Sequence, residues 1–341
     1  MKHRSCFPLF ALAILLLFAG RVFAFAPIGQ PDERQNTDSI RGKVIILDPG
    51  HGGTADTDSY RVGPTGEREE WVNLRVALYL KDMLEEVGAA VLLTRTEDVF
   101  VPLEERSQLA RKKEADLFIS IHHNATADPS VNFPIVYFHG SATENMGSTH
   151  LGKKIASSLR KHLFKGKGPY SLVSDYTIFS KSGASVLRGT YEIPAVIGEA
   201  TFFTHPKEER RLKRESYNRK EALAYFEAIS AYFSEIPFPI LEKQLPLEIP
   251  PFEVLQEAER MRPEALQWKE NFQEAKRLYE TGSPENKEHA LSLLDLSVRS
   301  FPDSYLARDC HLLRATILEE QGKLGEAAME LKRVQAYYPA N

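Results

Sequence analysis

The stretch KVIILDPGHGG, residues 43–53, constrains the fold more than any other part of the chain. Val44 to Leu47 form a continuous apolar run, which is typical of a strand buried on both faces of a sheet. Pro49 cannot donate a ladder hydrogen bond and the following glycines permit positive φ, so the chain must turn there and present His51. In open α/β sheets, ligands bind at this carboxyl end of the strands.

His51 allows two plainer explanations besides a ligand site. A glycine-rich turn can bind phosphate, but neither GxGxxG nor GxxxxGK[ST] is present, and a single histidine is more often simply hydrogen-bonded. Two later strands favour a functional role, because they end in the same kind of residue. The run DLFISI leads into His122, and the run from Ala195 to Gly198 leads into Glu199.

Apolar spacing predicts alternating helices and strands from residue 43 to residue 233. A helix begins near Glu69, because Val72, Val76 and Leu80 recur on one of its faces. Further strands are predicted over 89–94 and 134–138, with helices over 102–113, 149–164 and 206–233. This alternation is typical of an α/β fold with a mostly parallel sheet covered on both faces.

Residues 1–24 have the pattern of a secretory signal peptide. Lys2 and Arg4 precede an apolar stretch, and small residues near Ala24 and Ala26 offer a cleavage site after either one. The alternative is an uncleaved membrane anchor, but the apolar stretch is short for a membrane span. We therefore expect an exported protein with no membrane span in its mature form, and a disordered lead-in over residues 25–41.

The charge and cysteine content exclude some functions. Loss of residues 1–24 removes three basic residues and no acidic one, which takes the net charge from −4 to −7. Nothing in this balance indicates binding to nucleic acid or to an anionic surface. Only Cys310 remains after processing, so an intrachain disulfide is excluded and stability must come from apolar cores.

The predicted strand ends and the start of the first helix offer a metal site. Two histidines and one glutamate form a His2Glu set, which on zinc leaves the fourth position open. Spacing does not choose among Glu67, Glu69 and Glu70, each of which also suits the helix dipole. A glutamate that is not a ligand is then needed to transfer protons, and Glu199 suits this role.

Five stretches occur in order between Lys43 and about Phe233: DPGHGG, GEREEWVNL, LTRTEDVFVPLEERSQLA, ADLFISIHHNA and IPAVIGEATFFTHPKEE. They resemble the successive motifs of the zinc-dependent N-acetylmuramoyl-L-alanine amidases, the family-3 type of peptidoglycan amidase. The resemblance implies one zinc ion held by His51, Glu69 and His122, with Glu199 as catalytic acid/base. Glu69 is chosen because it precedes Asn73 by the family's spacing.

The resemblance also implies a fold and a reaction. The fold is an open twisted, mostly parallel sheet with helices on both faces. The reaction is hydrolysis of the amide between N-acetylmuramic acid and the L-alanine of the stem peptide, in the periplasm or cell wall, for wall remodelling or daughter-cell separation. The alternatives are a catalytically silent peptidoglycan-binding scaffold and a zinc hydrolase of another wall amide. A silent scaffold is disfavoured because the chain keeps a candidate for every ligand and for the base.

Three further residues are candidates for substrate binding or for support of the site. His123 stands where the family usually has a small residue, and it could crowd the metal, donate to the substrate or simply pack. Asn124 could support the site or form a turn, and Arg188 could orient the substrate or have a structural role. The stretch ATFFTH after Glu199 departs from the family pattern, which affects the loop shape more than the metal site.

The composition changes after residue 235. Six prolines over residues 236–263 predict a semi-rigid linker between a catalytic domain at 42–235 and a small all-α module at 264–341. An internal repeat in this module has a constant offset of 37 residues, with Ala290, Leu294 and Pro302 matched by Ala327, Leu331 and Pro339.

The offset resembles that of tetratricopeptide-like helical repeats. Two repeats are few for independent stability. The module could therefore dock on the catalytic domain, dimerise or bind a protein partner, and the plainer alternative is a helical cap.

Overall fold

The computed structural model describes residues 37–53, 62–243, 249–255 and 257–340, so the predicted signal peptide lies outside the described residues. Within these ranges six strands form one sheet. The strands are Val44–Pro49 (β1), Ala90–Leu93 (β2), Leu117–Asn124 (β3), Ile135–Phe138 (β4), Ser171–Ser174 (β5) and Ala195–Phe202 (β6).

The strand order is β2-β1-β3-β6-β4-β5, and only the β4–β6 pairing is antiparallel. The predicted mostly parallel sheet is therefore confirmed. Because β1, β3 and β6 are adjacent and parallel, their carboxyl ends meet at one edge of the sheet. His122 and Glu199 are paired in register there, and the ladder is then interrupted between His122 and Asn124.

Six α-helices lie among the described residues of the part of the chain that contains the sheet. They are Glu69–Glu86 (α1), Leu103–Lys112 (α2), Met146–Leu163 (α3), Ser185–Gly189 (α4), Pro206–Leu212 (α5) and Glu215–Phe233 (α6). Alternate strand residues face opposite sides of the sheet. Ile45 and Leu47 therefore pack in the core beneath α1, α3 and α6, while Ile46 packs with Ala110 and Leu187 of α2 and α4. The predicted helices on both faces are confirmed.

One predicted helix is wrong in its extent, because residues 206–233 form two helices instead of one. The carbonyl of Leu212 accepts hydrogen bonds from the side chains of Asn218 (3.0 Å) and Arg75 (3.1 Å). These side chains satisfy the end of α5, so the chain can change direction before α6 begins.

The described part of the chain from residue 257 to residue 337 is mostly helical, and the sequence predicts this from residue 264 onward. Its helices, which we call the C-terminal helical segment, are Glu257–Arg260 (α7), Pro263–Leu266 (α8), Trp268–Thr281 (α9), Pro284–Ser300 (α10), Ala307–Glu320 (α11) and Leu324–Tyr337 (α12). Successive helices from α9 to α12 pack on one another. Among the described helices, none is long and apolar enough to cross a membrane.

The C-terminal helical segment packs against the sheet through a shared apolar cluster. Phe133 and Phe202 contribute from the sheet side, and Trp268, Phe301 and Tyr337 contribute from the helical segment. This cluster covers the part of the sheet that α2 and α4 leave open. The predicted boundaries of the linker and of the two domains stay a prediction.

Candidate active site

The turn after β1 holds His51 in an unusual backbone conformation. Its φ is +62°, a left-handed value that few residues with a side chain adopt. Such strain persists only where the surroundings fix the backbone, and it is common at functional sites.

Two arginines from neighbouring elements fix this turn. Arg95 donates to the carbonyls of Pro49 (2.8 Å) and Gly50 (2.9 Å). Arg106 donates to the carbonyl of His51 (2.7 Å) and to Asp48 Oδ1 (2.8 Å). Sequence reasoning did not identify either arginine as part of the site. Both lie in the quoted stretch LTRTEDVFVPLEERSQLA, so membership of that motif was the available signal.

His51, Glu69 and His122 converge at this edge of the sheet. His51 Nε2 lies 3.1 Å from Glu69 Oε2, and His122 Nδ1 lies 3.1 Å from Glu69 Oε1. Their ligand atoms all lie within 4.8 Å of one another, and this is the one such group found among the described residues. Two imidazoles and one carboxylate around an open position fit a catalytic zinc site.

The protonation of two of these side chains also suits metal binding. Burial raises the pKa of Glu69, but His51 and His122 bring it well below its usual range, so the carboxylate is charged. Burial, together with the nearby His51, lowers the pKa of His122 below its usual value although the Glu69 carboxylate raises it, so the neutral imidazole is favoured at pH 7. Metal ligands must be in these deprotonated forms.

A buried chain of hydrogen bonds orients Glu69. Asn73 Nδ2 donates to Glu69 Oε1 (3.2 Å), and Asn73 Oδ1 accepts from His123 Nδ1 (2.8 Å). His123 Nε2 in turn lies 3.0 Å from Glu221 Oε2. Burial alone would lower the pKa of His123, but the Glu221 carboxylate raises it above its usual value. His123 is therefore a buried imidazole whose two ring nitrogens are both hydrogen-bonded, and neither is left for the substrate.

The other two candidate substrate residues, Asn124 and Arg188, make hydrogen bonds to backbone groups. Asn124 Oδ1 accepts from the amide of Ala125 (2.8 Å), as in a turn, although the residue lines the cleft described below. Arg188 lies on α4 and donates to the carbonyls of Ser182 (2.9 Å) and Gly183 (3.2 Å). It is not among the described residues that line the cleft. The structure thus brings Asn124 to the site and leaves Arg188 beside a flanking loop.

Glu199 lies on β6 beside His122 and makes no hydrogen bond through its buried Oε2 atom to the described residues. Burial, together with the nearby charges of Glu69 and Asp303, raises the pKa of Glu199 well above its usual value. A carboxyl group with a high pKa and a free oxygen is suited to take up and release a proton near neutral pH.

These residues line a cleft of about 730 Å³, which we call the active-site cleft. One wall lies at the edge of the sheet, where the turn after β1, the start of α1 and the strands β3 and β6 contribute His51, Glu69, His122 and Glu199. The C-terminal helical segment contributes further lining residues, including Arg260, Met261, Trp268 and Asp303. Sequence reasoning missed this second contribution, since the prolines between the two parts indicated a spacer.

Comparison with known proteins agrees with this geometry. The sequence matches the N-acetylmuramoyl-L-alanine amidase family Amidase_3 over residues 45–231. It is 30% identical over 226 residues to the N-acetylmuramoyl-L-alanine amidase AmiA of Escherichia coli, covering 56% of this chain and 76% of that protein. It is 33% identical over 221 residues to the uncharacterized protein YqiI of Bacillus subtilis, covering 64% of this chain and 97% of that protein.

A solved structure, the N-acetylmuramoyl-L-alanine amidase AmiC2 of Nostoc punctiforme, covers 57% of this chain and 98% of its own, with 26% identity and a TM-score of 0.49. The family match includes more than half of the 341 residues and all of the His51, Glu69 and His122 group. The chain therefore belongs to the Amidase_3 family and is an N-acetylmuramoyl-L-alanine amidase of peptidoglycan.

Proposed function

We propose that this amidase is an exported zinc hydrolase with one metal ion held by His51, Glu69 and His122. In this proposal Glu199 is the catalytic acid/base, and the enzyme cuts the amide between N-acetylmuramic acid and L-alanine in the periplasm or cell wall. The observation that carries it is the convergence of three donor side chains within 4.8 Å beside a glutamate whose Oε2 has no partner among the described residues.

The residues divide the chemistry between them. A zinc ion at this group, when bound, supplies Lewis-acid polarisation of the substrate carbonyl. Glu199 removes a proton from the attacking water, whose oxygen bonds to the carbonyl carbon. Glu199 then gives that proton to the amide nitrogen as the carbon–nitrogen bond breaks, which releases the amine of L-alanine and the lactyl carboxylic acid, and the acid then loses its remaining proton to solvent. Asn73 and His123 hold Glu69 in position and do not contact the reacting atoms.

Mass spectrometry of the soluble products tests this function. Zinc-loaded mature protein is incubated with purified peptidoglycan, with and without a chelator. We expect stem peptides that begin at L-alanine, and their loss on chelation. Products cut at another amide would identify a different wall hydrolase, and absence of products would support the scaffold alternative.

A substitution tests the role of Glu199. Glu199→Gln should bind zinc as the unaltered protein does but release no stem peptides, since the amide cannot accept the proton. Glu105→Gln, at an exposed position on α2, is the matched control and should keep full activity. Full activity of Glu199→Gln would remove this residue from the mechanism.

We further propose that the C-terminal helical segment contains tetratricopeptide-like repeats and bears a surface for a protein partner at the wall or division site. Leu324 and Leu331 lie two turns apart on α12 and are exposed, which supports a contact surface. Replacing both with glutamate should abolish septal localisation of a fluorescent fusion and leave the purified activity unchanged. Unaltered localisation would contradict this proposal.

A further inference from the structure

The wall that the C-terminal helical segment gives to the active-site cleft lies beyond the matched family region, which ends at residue 231. Arg260, at the end of α7, and Asp303, between α10 and α11, are the charged residues of this wall. Because they line the same cleft as His51, His122 and Glu199, they are placed to contact a substrate bound there.

Carboxylates dominate the charged groups around this cleft. Among the described residues that line it, Arg260 is the only arginine or lysine, and the acidic residues are Glu69, Asp128, Asp175, Glu199 and Asp303. Away from the proposed metal site, where a bound ion offsets the charge of Glu69, a ligand carboxylate is repelled by such a lining unless it lies beside the guanidinium. Peptidoglycan stem peptides carry free carboxylates, so a stem peptide in this cleft gains most by placing one of them at Arg260.

The guanidinium of Arg260 is oriented but keeps its outer nitrogens available. Its Nε donates to the carbonyl of Leu255 (2.9 Å), and the amide of Leu255 donates to the carbonyl of Arg299 (2.9 Å). Among the described residues no carboxylate lies within ion-pair distance of Arg260. A guanidinium held by one edge presents its remaining donors as a fork, which matches the two oxygens of a carboxylate.

Asp303 supplies the complementary group. Its residue exposure is only 3%, and its Oδ1 has no hydrogen-bond partner from any other described residue. The other oxygen accepts from the hydroxyl of Tyr137 on β4. A buried carboxylate oxygen without a donor costs free energy, so a ligand N–H placed there would be favoured.

Aromatic packing holds the cleft wall that carries Arg260 and Asp303 against β6, the strand of Glu199. Phe202, three residues beyond Glu199 on β6, packs on Phe133 with ring centroids 5.4 Å apart, and Phe133 packs on Tyr305 at 5.1 Å. Tyr305 in turn packs on Trp268, the first residue of α9, with ring centroids 5.5 Å apart. This continuous packing fixes the distance between the wall and the site.

We propose that Arg260 and Asp303 form a stem-peptide subsite, in which Arg260 binds a peptide carboxylate and Asp303 accepts a hydrogen bond from a peptide N–H or ammonium group. The subsite rests on the proposed function, since it uses the same cleft. It makes the C-terminal helical segment part of the substrate site and assigns it selectivity for acidic over amidated stem peptides.

Calorimetric binding to the zinc-loaded mature protein tests the carboxylate contact without catalysis. The probes are the peptide L-alanyl-γ-D-glutamyl-L-lysine and its form with both free carboxylates converted to amides. Amidation should weaken binding to the unaltered protein about tenfold, the range for one charge-assisted pair. Arg260→Met should bind the acidic peptide about tenfold more weakly, and amidation should cost this variant nothing further.

Three other variants complete the test. Arg262→Met, at an exposed position two residues away, should behave as the unaltered protein does. Arg260→Lys should keep part of the amidation penalty, which shows that a folding defect is not the cause. Asp303→Asn should weaken the amidated peptide more than the acidic one, because it removes an acceptor that both peptides use and also removes a charge that repels carboxylates.

The subsite would be overturned if amidation of the peptide weakened its binding to Arg260→Met as much as its binding to the unaltered protein. It would also be overturned if neither peptide bound. These outcomes are separate from the failure of the proposed function, which is measured by products from whole peptidoglycan. A protein that releases stem peptides without this binding pattern loses only the subsite. A protein that shows the pattern and cuts another amide loses only the reaction.

Discussion

At the scale of single residues, Gly50 shows how closely the backbone approaches the candidate metal site. A Cβ atom at this position would lie 2.1 Å from His122 Nε2, which is far inside van der Waals contact. Gly50 does not have a positive φ, so space and not backbone strain is what requires glycine here. Gly50, the first glycine of DPGHGG, is therefore needed so that the His122 ring can lie over the end of β1.

We expect Gly50→Ala to displace His122 and to weaken zinc binding by about 10- to 100-fold, the range for changes that misorient a ligand. Zinc content after dialysis against a competing chelator measures this, and circular dichroism checks the fold. Gly325→Ala, where nothing lies within 4 Å of an added Cβ, is the control and should retain zinc fully. Equal zinc retention by both variants would contradict the steric argument.

The sequence predicted the residues of the site where their chemistry follows from their type and place. Histidines and glutamates at strand ends and at a helix start converge because parallel strands share an edge. The role of His123 could not be predicted from its spacing. It depends on Glu221, which comes from α6, nearly a hundred residues later, and on the irregular register after His122.

At the scale of elements, Arg106 ties α2 to the end of β1. Its side chain is almost fully buried, and it pairs with Asp48 while donating to two backbone carbonyls of the turn. Removing one partner of a buried ion pair leaves the other charge uncompensated, and here the carbonyl of His51 also loses its arginine donor, while that of Pro49 keeps Arg95. This contact therefore couples the stability of the domain to the conformation of the loop that carries His51.

Arg106→Leu should lower the free energy of unfolding by about 3–5 kcal/mol, as expected when one partner of a buried pair is lost. Urea denaturation followed by circular dichroism measures the change. Arg111→Leu, an exposed position on the same helix, is the matched control and should change stability by less than about 0.5 kcal/mol. A similar small loss in both variants would show that Arg106 does not support the turn.

The apolar pattern predicted the elements well because helices such as α1 bury one regular face, while β1 and β3 are buried on both faces and form continuous apolar runs. The start of α1 at Glu69 and the strands that carry His122 and Glu199 follow from local pattern, although β3 and β6 continue to Asn124 and Phe202. The break between α5 and α6 could not be found in this way. It depends on Arg75, a residue of α1, whose guanidinium reaches the carbonyl of Leu212.

At the scale of the whole molecule, the sequence offered docking of the C-terminal module on the catalytic domain as one of several possibilities and could not choose among them. The prolines before the module predicted a semi-rigid linker, and the contact that selects docking joins Phe133 and Phe202 to Trp268, Phe301 and Tyr337, which are distant in the sequence. The internal repeat predicted helices correctly but said nothing of which surface they cover. Among these possibilities the structure shows a segment that shares a core with the amidase sheet.

A shared core predicts that the two parts unfold together. Cys310 lies in the apolar interior of the C-terminal helical segment, and burial raises the pKa of its thiol to about 12. A thiol reagent at pH 8 should not label Cys310 in the native protein, because the thiol is both inaccessible and protonated. Labelling then reports unfolding of the helices, and Trp71 fluorescence in a Trp268→Phe variant reports unfolding around α1.

We expect both signals to change at the same urea concentration, since exposing the aromatic cluster on one side also exposes it on the other. Trp268→Phe keeps an aromatic ring in that cluster, and circular dichroism of the unaltered protein checks that this substitution does not shift the midpoint. Labelling of Cys310 well below the urea concentration at which Trp71 responds would mean that the helices unfold alone. In that case the cleft wall that carries Arg260 and Asp303 would be a detachable cover and not part of one cooperative unit.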